Sequence, residues 1–196
     1  MEVKKLAVKQ MVMNTIGNAL KKFEFFGGKW SSFGALYGRL FYQHMVKKEL
    51  NFSSLETDAS LLHLGCGPYP FTALILAEKG YYVDAVDRDP EVLSMAQNVI
   101  QSSQVSDRIN LINGEGTKLD YSTYDAVWIS FSVSPRYRCI QQVLKTLKSG
   151  GQIIYRNPRG WLSNFYECSC PEDFKEQQEI KCVKQKIGKE SIVIEK

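Results

Sequence analysis

The chain has 196 residues, enough for one domain whose hydrophobic core needs neither metal nor disulfide. Its composition is 44% apolar with a formal net charge of +4, and no apolar run reaches about 18 residues, so stable membrane insertion is not expected. Five cysteines, an odd number scattered along the chain, point to reduced thiols and a cytoplasmic location.

Charge is uneven. Residues 1–50 hold nine Lys or Arg against three Asp or Glu, a local balance of +6, and the remainder carries −2. Such a segment suits an anionic substrate, nucleic acid or acidic lipid, and a solvated helix face is the plainer reading. Lys4 and Lys5 precede Met11-Val12-Met13, but Asn14 interrupts that run too early for a signal peptide. Over residues 4–24, Leu6, Met13, Ile16, Leu20 and Phe23 recur at helical spacing among lysines, which predicts an amphipathic helix ended by Gly27-Gly28. A second helical region, Ser31–Asn51, is rich in aromatics: Phe33, Tyr37, Phe41 and Tyr42. These helices are expected either to pack as core or to cover a site as a lid. The division that follows is a helical lid over residues 1–52 and a main domain over 53–196, the main domain folding without the lid.

Ser53–Ser60 is a polar lead-in to a strand at Leu61–Leu64, and a helix is predicted over Phe71–Lys79 with Phe71, Leu74, Ile75 and Ala77 on one side. Tyr81–Val86 is the second strand. Asp89-Pro90 starts a helix running to Ile100. Ile109–Ile112 and Tyr124–Ser130 are the third and fourth strands, Pro135–Leu147 a helix, and Gln152–Arg156 the fifth strand. Ile180–Lys186 and Ser191–Glu195, joined through Gly188, read as an antiparallel hairpin. The whole is an α/β fold: a Rossmann-like doubly wound seven-stranded sheet with a C-terminal antiparallel hairpin that supplies one reversed strand, preceded by N-terminal helices.

Chemistry gathers at Leu64-Gly65-Cys66-Gly67-Pro68-Tyr69-Pro70, between the first strand and its helix. Glycines there let a ligand approach the backbone, and the following helix offers free N–H groups. Asp87 ends the second strand twenty residues after Gly67, where a carboxylate takes both hydroxyls of a ribose. A dinucleotide loop needs a third glycine where Pro70 stands, and two prolines remove donors that a pyrophosphate would use. The loop suits S-adenosylmethionine better than NAD, and no Walker lysine is present.

The layout over roughly residues 58–196 resembles the class I methyltransferase fold. That resemblance implies that Gly65, Cys66, Gly67 and Pro68 hold the methionine end of the cofactor, Asp87 with Arg88 the ribose, Glu115 and Gly116 the adenine, and that Ser130 lies near the methyl. His63 stands where an acidic residue is usual before the first glycine. More narrowly, Gly-Cys-Gly-Pro-Tyr-Pro-Phe-Thr, Asp-Arg-Asp-Pro, Gly-Glu-Gly-Thr and Ile-Ile-Tyr-Arg, followed by Gly160, look like the nicotianamine synthase family. Those enzymes use the same fold and cofactor to move the 3-amino-3-carboxypropyl arm rather than the methyl.

Expected catalytic residues are Tyr69, on the cofactor loop, with His44 and Glu49 on the second helix. Tyr37, Tyr42 and Arg156 are expected to bind substrate, Arg156 by gripping a carboxylate. His63, within a strand, reads as a hydrogen-bonded core residue. Cys168, Cys170 and Cys182 have no histidine near them, so no metal is expected. The fourth strand ends Ile-Ser-Phe-Ser without the Asn-Pro-Pro-Tyr type of motif, and there is little room for a basic domain, which argues against nucleic acid. The expected partner is a small-molecule acceptor, an amino acid or amine; no oligomeric state is indicated. Methyl transfer to a small molecule is the alternative, and a non-catalytic cofactor-binding protein a third reading.

Overall fold

Short apolar runs separated by helices can hide both faces only as a parallel sheet covered on two sides, and that is the architecture of this chain. The structure, a computed structural model, describes residues 31–164, 166–177, 179–185 and 189–196. The expected helix over 4–24 and the hairpin turn at 186–188 lie outside the described residues, as does the side chain of Tyr37. The elements are α1 (Ser31–Leu50), β1 (Ser60–Leu64), α2 (Phe71–Glu78), β2 (Tyr82–Asp87), α3 (Pro90–Gln101), β3 (Ile109–Asn113), β4 (Ala126–Ile129), α4 (Arg136–Thr146), β5 (Gln152–Pro158), β6 (Ile180–Lys184) and β7 (Lys189–Glu195). One seven-stranded sheet runs in the order β3-β2-β1-β4-β5-β7-β6. β1 to β5 pair in parallel, and β7 runs antiparallel to both β5 and β6, so it is the one reversed strand.

From β1 the chain winds outward through β2 and β3, then returns to β4 on the other side. The strand order therefore reverses between β1 and β4, and the carboxyl ends of those two strands flank the crevice where open α/β sheets bind ligands. One face of the sheet, with Leu61, Val83, Ala85, Trp128, Ile154 and Val193, packs under α1, α2 and α3. The other, with Leu62, Leu64, Val127, Ile129, Tyr155 and Ile192, is covered by Cys139, Ile140 and Val143 of α4.

Local chemistry sets the ends of these elements. Asp89 caps α3 by accepting from the N–H of Glu91 at 2.9 Å, with Pro90 in the first turn, where a missing N–H costs nothing. α2 departs from the one-sided pattern expected for it: Thr72 through Ala77 are all buried. The reason is α1, which lies over the outside of α2, so this short helix faces apolar neighbours on both sides. α1 in turn is core in its second half, with Met45, Val46 and Glu49 all buried. The expected lid over residues 1–52 is, over this half, part of the domain it was to cover.

Candidate cofactor and acceptor site

The glycine turn leaves β1 at its carboxyl end. Gly65 and Gly67 have φ of +73° and +69°, a region that side chains disfavour, and a Cβ on Gly65 would lie 2.5 Å from Val133 Cγ2. The N–H groups of Gly65 and Cys66 both donate to the carbonyl of Val86, at 2.8 and 3.0 Å, which ties the turn to the end of β2. Asp87 is half-buried beside it: its Oδ2 accepts from Gly67 N at 3.0 Å and its Oδ1 from Asp89 N at 3.2 Å. Each carboxylate oxygen keeps a second lone pair for a ligand. Burial, reinforced by the charge of Asp87, holds the Cys66 thiol up at about 12, so it stays protonated and is not a nucleophile.

Tyr69 lies half-buried on this turn, its ring stacked on Phe71 at 5.9 Å. Phe71 meets Tyr42 of α1 at 5.5 Å, and Tyr42 meets Phe41 at 5.9 Å, so a row of four rings joins α1 to the turn. At the expected adenine end, Glu115 and Arg88 are exposed. Glu115 is ion-paired with Lys118 at 2.6 Å, and hydrogen bonds from Lys118 and Thr117 hold its carboxyl below the usual range. Gly116 is buried, and a Cβ there would lie 2.5 Å from Leu64 Cδ2.

Beneath the turn, on the sheet face covered by α1, lies a layer of buried polar groups. The Glu49 carboxylate, fully buried, accepts from Arg156 Nε and Nη2, both at 2.8 Å, from Trp128 Nε1 at 3.0 Å and from Ser191 Oγ at 2.6 Å. Arg156 also donates to Thr72 Oγ1 at 3.1 Å, and its guanidinium lies 5.7 Å from the centre of the Tyr42 ring. Burial alone would lower the Arg156 pKa; the Glu49 charge overrides it and raises it. Next to this pair, His63 Nε2 lies 2.8 Å from the Oγ of Ser130, the residue that follows β4.

Two expected roles change with this layer. Glu49 and Arg156, read as a lid-borne base and an acceptor clamp, are bonded to each other, so either can serve a substrate only by loosening that pair. His44 is exposed on α1. Tyr69, Tyr42, Asp87, Gly65, Cys66, Gly67, Pro68 and Ser130 do gather around the crevice.

Sequence reasoning missed the groups that close it. Arg136, 1% exposed, donates to the backbone carbonyls of Phe131 and Glu167, and the Glu167 carboxylate accepts from the N–H of Arg136 and Tyr137 at 3.0 and 3.1 Å. Asn157 Nδ2 donates to the Ser169 carbonyl at 2.7 Å. These bonds hold the segment after β5 against the β4–α4 loop, where Phe131 packs on Tyr166 at 4.2 Å. Lys189 Nζ lies 4.4 Å from the centre of the Phe131 ring and 5.8 Å from that of Phe41, a cation between two aromatic faces at the rim.

Among the described residues no three His, Cys, Asp or Glu side chains form a metal cluster, and no helix is long and apolar enough to cross a membrane. A cavity of about 500 Å³, lined by Ser54, Asp58, Asp125 and Gln152 among others, lies at the amino ends of the strands, away from the crevice.

A sheet of this order with a glycine turn at its reversal point defines the class I methyltransferase fold. The nicotianamine synthase protein family profile matches residues 37–195, and the chain belongs to that family. A structure of MtNAS in complex with MTA and tNA is similar with a TM-score of 0.77 and 21% identity, over 95% of this chain and 75% of that one. A point mutant of MtNAS in complex with S-adenosylmethionine gives a TM-score of 0.71 and 23% identity, over 82% and 62%. Among curated proteins, the L-histidine 2-aminobutanoyltransferase of Pseudomonas aeruginosa is 25% identical over 118 residues, 59% of this chain and 44% of that protein. The protein-L-isoaspartate O-methyltransferase of Thermococcus onnurineus is 27% identical over 113 residues, 57% and 50% respectively. The chain spans about half the length of these curated relatives.

Proposed function

We propose that this chain binds S-adenosylmethionine at the glycine turn and transfers its 3-amino-3-carboxypropyl group to the nitrogen of a small amine or amino acid. The observation that carries this reading is the family match over residues 37–195, which includes the Pro-Tyr-Pro turn at the point of strand reversal. The residues fit such a ligand: Gly65 leaves no room for a side chain at the crevice, and Asp87 is fixed by two backbone bonds with lone pairs to spare.

Bound there, S-adenosylmethionine would supply an electrophilic sulfonium whose arm could pass to the acceptor nitrogen, the leaving electron pair staying on sulfur in 5′-methylthioadenosine and the nitrogen giving up a proton. The protein's work is alignment and exclusion of water. Asp87 takes the ribose hydroxyls, with Arg88 beside it, and Glu115 and Gly116 border the adenine. Tyr69, stiffened between two prolines and stacked on Phe71, is our choice for the hydroxyl that meets the amine. Tyr42 and Phe41 form the apolar wall on the α1 side, while the Glu49–Arg156 pair closes the floor. His44 and Tyr37 remain candidates for the acceptor's outer part.

Methyl transfer is the second reading, favoured by the match to an O-methyltransferase. The two differ in the nucleoside released. Incubation with S-adenosylmethionine and a pool of amino acids and polyamines, followed by mass spectrometry, should yield 5′-methylthioadenosine, and Tyr69→Phe should lower turnover far more than cofactor affinity. S-adenosylhomocysteine as the product would replace this proposal with the methyltransferase reading.

A further inference from the structure

One titratable side chain beside the crevice has no part in that scheme. His63 is 2% exposed, in the middle of the sheet, on the same face as the Glu49–Arg156 pair. Its Nε2 has the Ser130 hydroxyl at 2.8 Å, whereas Nδ1 is buried with no partner among the described residues. Burial and the nearby positive charge of Arg156 press its pKa down to about 3, so the ring is neutral and carries one proton.

Where that proton sits follows from the surroundings. A proton on Nδ1 would be a buried N–H without an acceptor, the costlier kind of orphan; an unpaired imidazole lone pair is tolerated better. The proton therefore belongs on Nε2, where it is donated to Ser130 Oγ. Ser130, having accepted that bond, has its own hydroxyl proton to give. The described residues offer it no acceptor at hydrogen-bond distance, and Ser130 lies against the glycine turn, 3.4 Å from where a Cβ on Gly65 would stand.

We propose that His63 is a positioning residue that makes the Ser130 hydroxyl a dedicated donor to the carboxylate of the cofactor's methionine arm. The inference rests on the cofactor reading above and extends it: His63 and Ser130 together make the site select a carboxylated arm. The bond from Ser130 goes to a charged acceptor, so its loss should cost about tenfold in affinity.

The tautomer is tested first, in protein without ligand. Nitrogen NMR of the imidazole should find Nε2 protonated and Nδ1 bare at pH 7; the reverse overturns the proposal whatever the protein binds. Calorimetry then compares S-adenosylmethionine with its decarboxylated form. Wild-type protein should prefer the carboxylated ligand, and Ser130→Ala should lose about tenfold for it while holding the decarboxylated form as before. His63→Leu should match Ser130→Ala, the double variant should lose no more than either, and His63→Gln, which keeps an N–H near the Nε2 position, should recover most of the preference. If Ser130→Ala keeps the full preference, or the two losses add, Ser130 is not the donor and the proposal fails while cofactor binding stands. If wild-type protein binds neither ligand, the cofactor reading fails and takes this inference with it. Should His63→Leu not fold, Ser130→Ala and His63→Gln decide the question by themselves.

Discussion

Asp87 has two jobs in the proposed reading: it is to take the ribose hydroxyls, and it holds the glycine turn by accepting from Gly67 and Asp89. Asp87→Ala should therefore weaken S-adenosylmethionine binding by about 2–3 kcal/mol in calorimetry, the scale of hydrogen bonds to a charged group. Unaltered affinity would move the ribose elsewhere. His63 makes a second prediction, in pH. Its pKa lies at about 3 in the fold against 6.5 when unperturbed, so between those values the unfolded chain binds the extra proton. The stability tied to its neutral form is thus fully present above about pH 6.5 and is lost as pH falls toward 3. Denaturant titrations across that window should find His63→Gln with a shallower dependence than wild type. An equal slope in both would mean that the imidazole does not stay neutral in the fold. Gly65, Gly67 and Asp87 were legible because their spacing within one strand–turn–helix unit already encodes the geometry. The partners of His63, Glu49 and Arg156 were not: Glu49 and Arg156 lie 107 residues apart, and nothing local marks two charges that will be buried on each other.

Among the elements, α1 is the one whose role its pattern left open. Its pattern announces a helix with aromatic residues, and both lid and core were compatible with that. What decides is the inward row of Tyr42, Met45, Val46 and Glu49, which needs the face of β4, β5 and β7 to complete it. Glu49→Ala would leave the Arg156 guanidinium buried without a counter-charge, so urea unfolding should register a loss of about 3–5 kcal/mol. Replacing both partners, Glu49→Leu with Arg156→Met, should cost much less than that single change. If the single variant is as stable as wild type, water reaches Arg156 and the layer is not sealed. α2 shows why periodicity alone misleads for a covered helix: once α1 lies outside it, no polar side is required, and the one-sided pattern read over Phe71–Lys79 was only half of its burial.

At the scale of the whole molecule, the seven strands and the one reversed strand followed from five alternating units and a closing hairpin, because parallel strands with short crossovers leave few arrangements. The independence of residues 53–196 turns on what α1 contributes to the core. Removing residues 1–50 strips Met45 and Val46 from the core, at about 1.5–3 kcal/mol each, and strands Arg156 at about 3–5 more. Their sum rivals the 5–15 kcal/mol that holds a whole domain together. The shortened chain should melt without a cooperative transition in calorimetry, where a free-standing sheet would give a sharp one. β7 carries a different consequence. It follows every other strand in chain order yet lies between β5 and β6, and its Ser191 completes the shell around Glu49. On the ribosome, a nascent chain halted before Lys189 has made every glycine and carboxylate of the crevice but exposes the edge of β5 as an open template. Such a chain has the parts of the site without its floor, and an unpaired strand edge is what chaperones and neighbouring nascent chains capture. Competence should thus arrive abruptly, when the reversed strand slides into its slot.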